Sequence, residues 1–119
     1  MVLKKLLRRL TTPVTELDLR RLREFCTGQA DVTPIKELRA REEAAVVGEI
    51  TSLRIVPREG SPWLEATISD GTGSLVVMWT GRRRIAGVAP GKRLVVSGRG
   101  SPYGKHGRLR LLNPRYELL

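Results

Sequence analysis

The chain has 119 residues and a formal net charge of +10, carried by 22 basic and 12 acidic side chains. This length corresponds to about one ordinary domain with a small core. A single cysteine excludes an internal disulfide and a cysteine-rich zinc site. No apolar run reaches the roughly 20 residues of a membrane span, and charges interrupt the leucines near the start where a signal peptide would be apolar. We therefore predict a cytoplasmic protein with a basic surface.

The composition of the basic residues points to nucleic acid as a partner. Arginines number 17 and lysines 5, and arginine binds phosphate through two parallel hydrogen bonds and stacks on bases. A basic surface also has a simpler explanation, since it keeps a protein in solution without binding anything specific. Charge therefore permits nucleic-acid binding but does not establish it.

The first part of the chain has the apolar spacing of helices. Leucines within residues 1–12 recur at helical intervals with basic residues between them, which predicts a short amphipathic helix. A second apolar stripe from Leu17 to Cys26 predicts another helix that ends at Gly28. Because a helix of this length needs tertiary packing, we expect it to pack on the domain that follows. An alternative role for the basic N-terminal helix is contact with an anionic membrane surface or with phosphates.

Residue 44 is the predicted boundary between two parts of the chain. Residues 1–43 form an N-terminal helical extension and a connector, in which Pro34 predicts an extended approach to the main domain. Residues 44–119 have strand-like patterns. They carry 12 basic and 5 acidic residues, against 10 and 7 in the first part, so most of the positive charge lies in the second part.

The clearest strand signal lies in residues 61–81. Apolar and polar residues alternate on both sides of Asp70-Gly71-Thr72-Gly73, which predicts two strands joined by a tight hairpin. Asp-Gly favours such a turn because glycine tolerates positive φ, and the second glycine predicts a left-handed residue or a bulge.

Three further strands complete the predicted β domain. A long first strand begins at residue 44 and contains Gly48, which predicts a bulge or a bend. Residues 92–100 and 108–112 form the fourth and fifth strands, and residues 81–90 form a short helical turn or loop before them. Five strands in a domain of this size are typical of a small closed barrel, because closure removes exposed sheet edges.

Several motifs in the β domain resemble the OB-fold nucleic-acid-binding domains. They are Val46-Val47-Gly48, ISDGTGSLVVMW at 68–79, Pro90-Gly91-Lys92 and the ending LLNPRYELL. They are similar to the anticodon-binding domains of tRNA synthetases and to the wedge domain of the RecG helicase. The whole chain resembles the small stand-alone OB-fold proteins of actinobacteria. Arg115 departs from the helicase wedge, which usually has an acidic residue there. The resemblance implies a mainly β, five-stranded OB-fold Greek-key barrel with an N-terminal helical extension.

The resemblance also implies where nucleic acid would bind. OB folds bind it across the second and third strands, between the loops that join strands 1–2 and 4–5. Single strands are held there by aromatic stacking and a basic groove. The candidate binding residues in these segments are Arg54, Arg58, Trp63, Tyr103, Lys105 and Arg108, and the dense basic run Arg82-Arg83-Arg84 adds three more.

Each of the aromatic and basic candidates has two interpretations. Trp63 is out of phase with the apolar residues of its strand, so it either stacks on a base or packs at the barrel end or under the N-terminal helices. Trp79 is in phase with them, which favours the core or its rim. Tyr103 lies in a predicted loop, where stacking and a purely structural role are both open. The arginine run either binds phosphates or is a solvated turn. Tyr116 is predicted to anchor the C-terminus.

The sequence lacks the usual signatures of catalysis, metals and cofactors. His106 is the single histidine and has no cysteine or acidic cluster beside it, so we predict no metal site. Gly71 and Gly73 are not followed by the lysine of a phosphate-binding loop, and no nucleophile has a plausible base. We predict no cofactor and a non-enzymatic protein that binds single-stranded DNA or RNA with low sequence specificity. The alternative is an interaction module whose barrel edge or leucine-rich N-terminal helix contacts a protein partner; a membrane partner is not favoured.

Overall fold

The computed structural model describes residues 16–119. Within them, helix α1 covers residues 16–27 and a 3-10 helix covers Ile35–Glu37. The strands are β1 (Glu43–Arg58), β2 (Ser61–Ser69), β3 (Ser74–Thr80), β4 (Arg93–Arg99), β5 (Ser101–Tyr103), β6 (Arg108–Leu112) and β7 (Arg115–Leu118). The amphipathic helix predicted near the N-terminus lies outside the described residues.

The strands form one sheet in the order β5-β6-β3-β2-β1-β4-β7. Neighbouring strands are antiparallel except β3 and β6, which are parallel. The long strand β1 curls the sheet, because its first half pairs with β4 and its second half with β2. The result is a mainly β OB-fold with a curled half-barrel sheet and, among residues 16–119, one N-terminal α-helix, so the predicted fold class is confirmed in these respects.

The prediction of five strands is wrong, since the described residues form seven. The two additional strands, β5 and β7, lie at opposite edges of the sheet, which therefore curls without joining its edges. β5 has only three residues, and the four residues of β7 are all exposed. Neither strand has the alternation of buried and exposed residues that identifies a strand in a sequence.

The change of partner along β1 requires an irregularity in its pairing. The register with β2 shifts between Ile50 and Ser52, which leaves Thr51 as a bulged residue. The sequence predicted the bulge at Gly48, but the structure has it three residues later. Gly48 has a different role, because a Cβ there would lie 3.2 Å from the Cβ of Ile68, so its small size permits close packing inside the sheet.

The core consists of the inward-facing aliphatic residues of the sheet. On β2 these are Leu64, Ala66 and Ile68, as the alternation predicted. Trp79 on β3 belongs to the same core, and its indole Nε1 donates a hydrogen bond to the carbonyl of Pro114 at 3.4 Å. Tyr116 packs edge-to-face on Trp79 with ring centroids 5.7 Å apart, which attaches β7 to the core.

The β2–β3 turn is held by the buried carboxylate of Asp70, which is 1% exposed. One oxygen accepts hydrogen bonds from the backbone N–H and hydroxyl of Thr72 at 2.8 and 2.6 Å and from the N–H of Gly73 at 3.2 Å. The other accepts the N–H of Ile35 at 2.8 Å. The left-handed residue of the turn is Gly71, with a φ of 83°. Asp70 therefore joins the hairpin to the connector.

Helix α1 packs on the sheet as predicted, but through only two residues of its apolar stripe, since Leu17, Leu19 and Phe25 are exposed. Leu22 and Cys26 form a small cluster with Val47 of β1, and the partly buried Val95 of β4 packs against it. A Cβ at Gly71 would lie 2.7 Å from the carbonyl oxygen of Leu19, so the hairpin turn approaches the helix closely. Within residues 16–119, no helix combines the length and apolar composition that a membrane crossing requires.

The connector is less extended than Pro34 predicted. Pro34 itself is extended, but a 3-10 helix begins at the next residue, Ile35. Ile35 is buried in the core of the sheet, and its N–H is the one that Asp70 accepts. Burial of this single side chain explains why the chain turns here.

Cys26 is expected to resist alkylation in the folded protein. It is 1% exposed, and burial, with a contribution from the charge of Asp70, raises the pKa of its thiol from 9.0 to about 11. The reactive thiolate is therefore about a hundredfold rarer than in an ordinary cysteine at neutral pH. Mass spectrometry after iodoacetamide treatment should show slow modification in buffer and rapid modification in denaturant. Equal rates would contradict this placement of α1.

Candidate nucleic-acid interface

Side chains that point away from the core form a continuous surface across five neighbouring strands, which we call the outer face. Alternation along each strand places them there, because neighbours of a buried residue point to the opposite side of the sheet. The outer face comprises Ser52, Arg54, Val56 and Arg58 on β1, Trp63, Glu65 and Thr67 on β2, Ser74 and Val76 on β3, Arg108 and Arg110 on β6, and Tyr103 on β5. Met78 of β3 points to the same side but is 1% exposed, so it lies beneath this surface.

Trp63 lies at one end of the outer face. It is half-buried and pairs with Val56 on β1 and with Thr80 on β3. The guanidinium carbon of Arg58 lies 5.0 Å from the centroid of its ring, a cation–π contact that restrains the ring. The structure thus places an aromatic ring and a cation together at the β1–β2 hairpin.

Arg54 lies beside this pair, but its charge is already compensated. Its Nε and Nη2 donate to the two carboxylate oxygens of Glu65 at 2.7 and 3.3 Å. This hydrogen bond, and then the charge of Glu65, raise the pKa of Arg54. The arginine side chain is 71% exposed and the glutamate side chain 14%. Arg54 therefore attracts phosphate less strongly than a guanidinium without a carboxylate partner.

Tyr103 lies toward the other end of the outer face, at the end of β5 rather than in a loop. The guanidinium carbon of Arg110 is 5.2 Å from its ring centroid. Arg110 also donates through Nη1 to the sulfur of Met78 at 3.7 Å, while its buried Nε has no hydrogen-bond partner. A second pair of ring and guanidinium therefore lies on the same surface as Trp63 and Arg58.

Arg110 was not among the residues predicted from the sequence. The signal that identifies it is the alternation Arg108-Leu109-Arg110, which places both arginines on the same side of β6. Lys105 lies in the exposed turn between β5 and β6. Within residues 16–119, Arg58, Arg108 and Arg110 form no ion pair with a carboxylate, in contrast to the ion-paired Arg54, Arg93, Arg99 and Arg115.

The arginine run 82–84 is in a different environment from the other candidates. All three residues are exposed in the loop that follows β3. Arg83 lines a shallow groove with Ile55 and Pro57, whose side chains alternate with Arg54 and so face the opposite side of the β1–β2 hairpin. The structure therefore brings together Arg54, Arg58, Trp63, Tyr103 and Arg108 on the outer face, with Lys105 at its edge, and places Arg83 on the other side of that hairpin.

Helix α1 leaves the central strands of the outer face accessible. Its buried residues contact Val47 and Val95, which belong to the first half of β1 and to β4. Among the described residues, it approaches β2 and β3 at their connecting turn, near Gly71. Trp63 and Tyr103 are thus outside the area that the helix covers.

Residues 44–119 match the model of a family described as the OB-fold nucleic acid binding domain of the tRNA anticodon type. The chain belongs to this family. The matched segment begins one residue after the start of β1 and includes every strand of the sheet, so it also includes the whole outer face.

Two solved structures are similar to this OB-fold domain. The structure of RecG bound to a three-way DNA junction has a TM-score of 0.58 and 19% sequence identity, over 74% of this chain and 12% of the RecG chain. The replication factor A related protein from Methanobacterium thermoautotrophicum has a TM-score of 0.56 and 19% identity, over 76% of this chain and 92% of the other. At these identities the similarity is one of fold. Comparison of the chain with curated proteins finds no match.

The described part of the OB-fold domain contains no cluster of three or more histidine, cysteine, aspartate or glutamate side chains that could hold a metal ion. His106 lies exposed in the turn between β5 and β6. The outer face carries cations, aromatic rings, hydroxyl groups and the carboxylate of Glu65.

Proposed function

We propose that this OB-fold domain binds single-stranded DNA or RNA through its outer face, with low overall sequence specificity and without catalysis. The observation that supports the proposal is the pairing of an aromatic ring with a guanidinium at two places on one surface, Trp63 with Arg58 and Tyr103 with Arg110. Membership of a nucleic-acid-binding family supports the general function.

The binding mechanism combines attraction of phosphates with stacking of bases. Arg58, Arg108 and Arg110 have no carboxylate partner among the described residues, so their charge is available to the nucleic-acid backbone. Trp63 and Tyr103 offer ring surfaces, and a base stacked on an aromatic ring contributes about 1–3 kcal/mol. Because every base has a flat face, such stacking discriminates little between sequences.

The two rings favour a single strand over a duplex. Bases within a duplex are stacked on one another, so their faces cannot reach an aromatic side chain. A duplex would contact the arginines alone and would lose the stacking energy. Single-stranded DNA and RNA both present free base faces, and the outer face shows no feature that separates them.

The salt dependence of binding tests the proposal. We expect a short fluorescently labelled single strand to bind in an anisotropy titration. If about four phosphates are neutralised, the logarithm of the association constant should fall with the logarithm of salt concentration with a slope near −3. A duplex of the same sequence should bind more weakly. Absence of binding at about 50 mM salt, or binding that salt does not weaken, would contradict the proposal.

A role in binding a protein partner is the second candidate, favoured by the exposed apolar residues Leu17, Leu19 and Phe25 of α1. The arginine of β4, Arg93, lies over the ring of Phe25 at 4.5 Å, so this side of the helix is partly covered. A protein partner would make binding depend on the helical extension. Replacement of Leu17 and Leu19 by serine would then abolish capture of the partner, whereas changes at Trp63 and Arg58 would have no effect on it.

A further inference from the structure

The outer face contains a groove where strands β3 and β6 diverge. Their ladder covers three residue pairs, from Val76–Arg110 to Met78–Leu112, so the start of β3 is not joined to β6. The space left there has a volume of roughly 430 Å³. It is lined by Thr67, Ser74, Val76, Tyr103, Arg108 and Leu109.

The lining of the groove suits a flat ring with hydrogen-bond acceptors. Val76 supplies apolar surface, and Tyr103 supplies an aromatic ring that the guanidinium of Arg110 restrains. Arg108 supplies a guanidinium, and no carboxylate is among the lining residues. A guanidinium donates hydrogen bonds and accepts none, so the groove favours a ligand edge that only accepts.

Two unpaired bases offer two adjacent acceptors on one edge: cytosine, through N3 and O2, and guanine, whose two fused rings cover more of the apolar lining. The O6 and N7 of guanine are adjacent acceptors, whereas adenine combines the N7 acceptor with an N6 donor. Arginine paired with guanine O6 and N7 is the commonest specific contact of this kind. The hydroxyls of Thr67 and Ser74 both donate and accept, so they can meet the donors on the opposite edge of the same base.

We propose that this groove holds one guanine of the bound strand, with its ring beside Tyr103 and its O6 and N7 facing Arg108. The proposal rests on the proposed function and adds to it one position of base preference. The remaining nucleotides are bound through phosphates and stacking.

The position of the groove is compatible with a strand that also reaches Trp63. Trp63 pairs with Thr80 of β3, and Arg108 lies near Ser74 of the same strand. These two positions on β3 are six residues apart. β2 and β5 are separated by β3 and β6 in the sheet. The spacing of neighbouring strands and the rise per residue give a distance along the sheet of about 25 Å from Trp63 to Tyr103. OB folds contact about 4–16 nucleotides, so one strand can occupy both places.

A positional scan with guanine tests the groove. Labelled oligothymidines of about 11 nucleotides, within the footprint of one OB fold, carry a single guanine at each position in turn. We expect guanine at one position or a short run of positions to raise affinity about tenfold or more. At the best position, 7-deazaguanine, which lacks the N7 acceptor, should lose most of this gain. Arg108→Met should abolish the preference, whereas the matched control Lys105→Met should retain it.

The outcomes separate the guanine proposal from the function on which it rests. Salt-dependent binding of every oligonucleotide with equal affinity would overturn the guanine site and leave single-strand binding intact. A guanine preference that survives both 7-deazaguanine and Arg108→Met would overturn the assignment to this groove. Absence of binding to any of the oligonucleotides would overturn both proposals.

Discussion

Replacement of Trp63 by alanine is expected to weaken binding of a short single strand by about ten- to a hundredfold. The variant removes the ring on which a base would stack, a contact of about 1–3 kcal/mol, and about 1.4 kcal/mol corresponds to a factor of ten in affinity. The ring lies on the outer face beside Arg58, whose guanidinium carbon is 5.0 Å from its centroid. Fluorescence anisotropy at one fixed salt concentration measures the effect.

Combination of Trp63→Ala with Arg58→Gln tests whether the ring and the cation act together. Because the two side chains are in contact, their effects on binding need not add, and the double variant compared with both single variants measures their coupling. Arg99→Gln is the matched control, since it removes one positive charge from β4, where Arg99 already lies 3.8 Å from Glu43. We expect this control to change affinity by less than about threefold, the effect of one distant charge.

Retention of the fold decides how the result at Trp63 is interpreted. Trp63 is half-buried, so each variant needs a thermal unfolding curve beside its binding curve. Trp63→Phe keeps an aromatic ring and should recover most of the lost affinity. If folded Trp63→Ala binds as tightly as the parent protein, no base stacks at this end of the outer face.

Replacement of Asp70 by alanine is expected to lower the free energy of unfolding by about 3 kcal/mol. The carboxylate accepts hydrogen bonds from the N–H groups of Ile35, Thr72 and Gly73 and from the hydroxyl of Thr72. Its removal leaves donors without a partner in a buried turn, and each unsatisfied buried donor costs about 1–3 kcal/mol. Water that enters the new space can offset part of this loss.

Urea unfolding followed by circular dichroism measures this change in stability. For a domain of this size, about 3 kcal/mol corresponds to a fall in Tm of roughly 10–20 °C. Asp70→Asn should be intermediate, because its amide can accept the bonds within the turn but presents a donor to the N–H of Ile35. Asp18→Ala removes an exposed carboxylate from α1 and should change stability by less than about 0.5 kcal/mol. Equal stability of Asp70→Ala and the parent would show that the connector does not depend on this carboxylate.

Features that depend on neighbours in the chain could be predicted from the sequence. The alternation in β2 and β3 correctly assigned Leu64, Ala66 and Ile68 to the core and Trp63 to the opposite side. The Asp-Gly pair correctly located the hairpin, and Gly28 correctly ended α1. Turn chemistry and side-chain periodicity act over a few residues, so a linear pattern contains them.

Features that depend on distant segments could not be predicted in this way. β7 is a strand because it pairs with β4, although all four of its residues are exposed. The buried carboxylate of Asp70 has a hydrogen-bond partner for its second oxygen because the N–H of Ile35, 35 residues earlier, donates to it. The second aromatic and cationic pair exists because the β5–β6 hairpin brings Arg110 over Tyr103. Periodicity within one segment shows none of these contacts, although the alternation in β6 does place Arg110 on the same side as Arg108.

The amino-acid sequence alone was sufficient to predict the OB-fold class and the side of the sheet to which each residue of β2 and β3 points. It also showed the excess of arginine. Tertiary structure decided which arginines share a surface, because the pairing of β1, β2, β3 and β6 brings Arg58 and Arg108 to one face while Arg83 lies across the β1–β2 hairpin. Periodicity assigns a side chain to one side of its own strand. Only the pairing of strands determines which residues of other strands lie beside it.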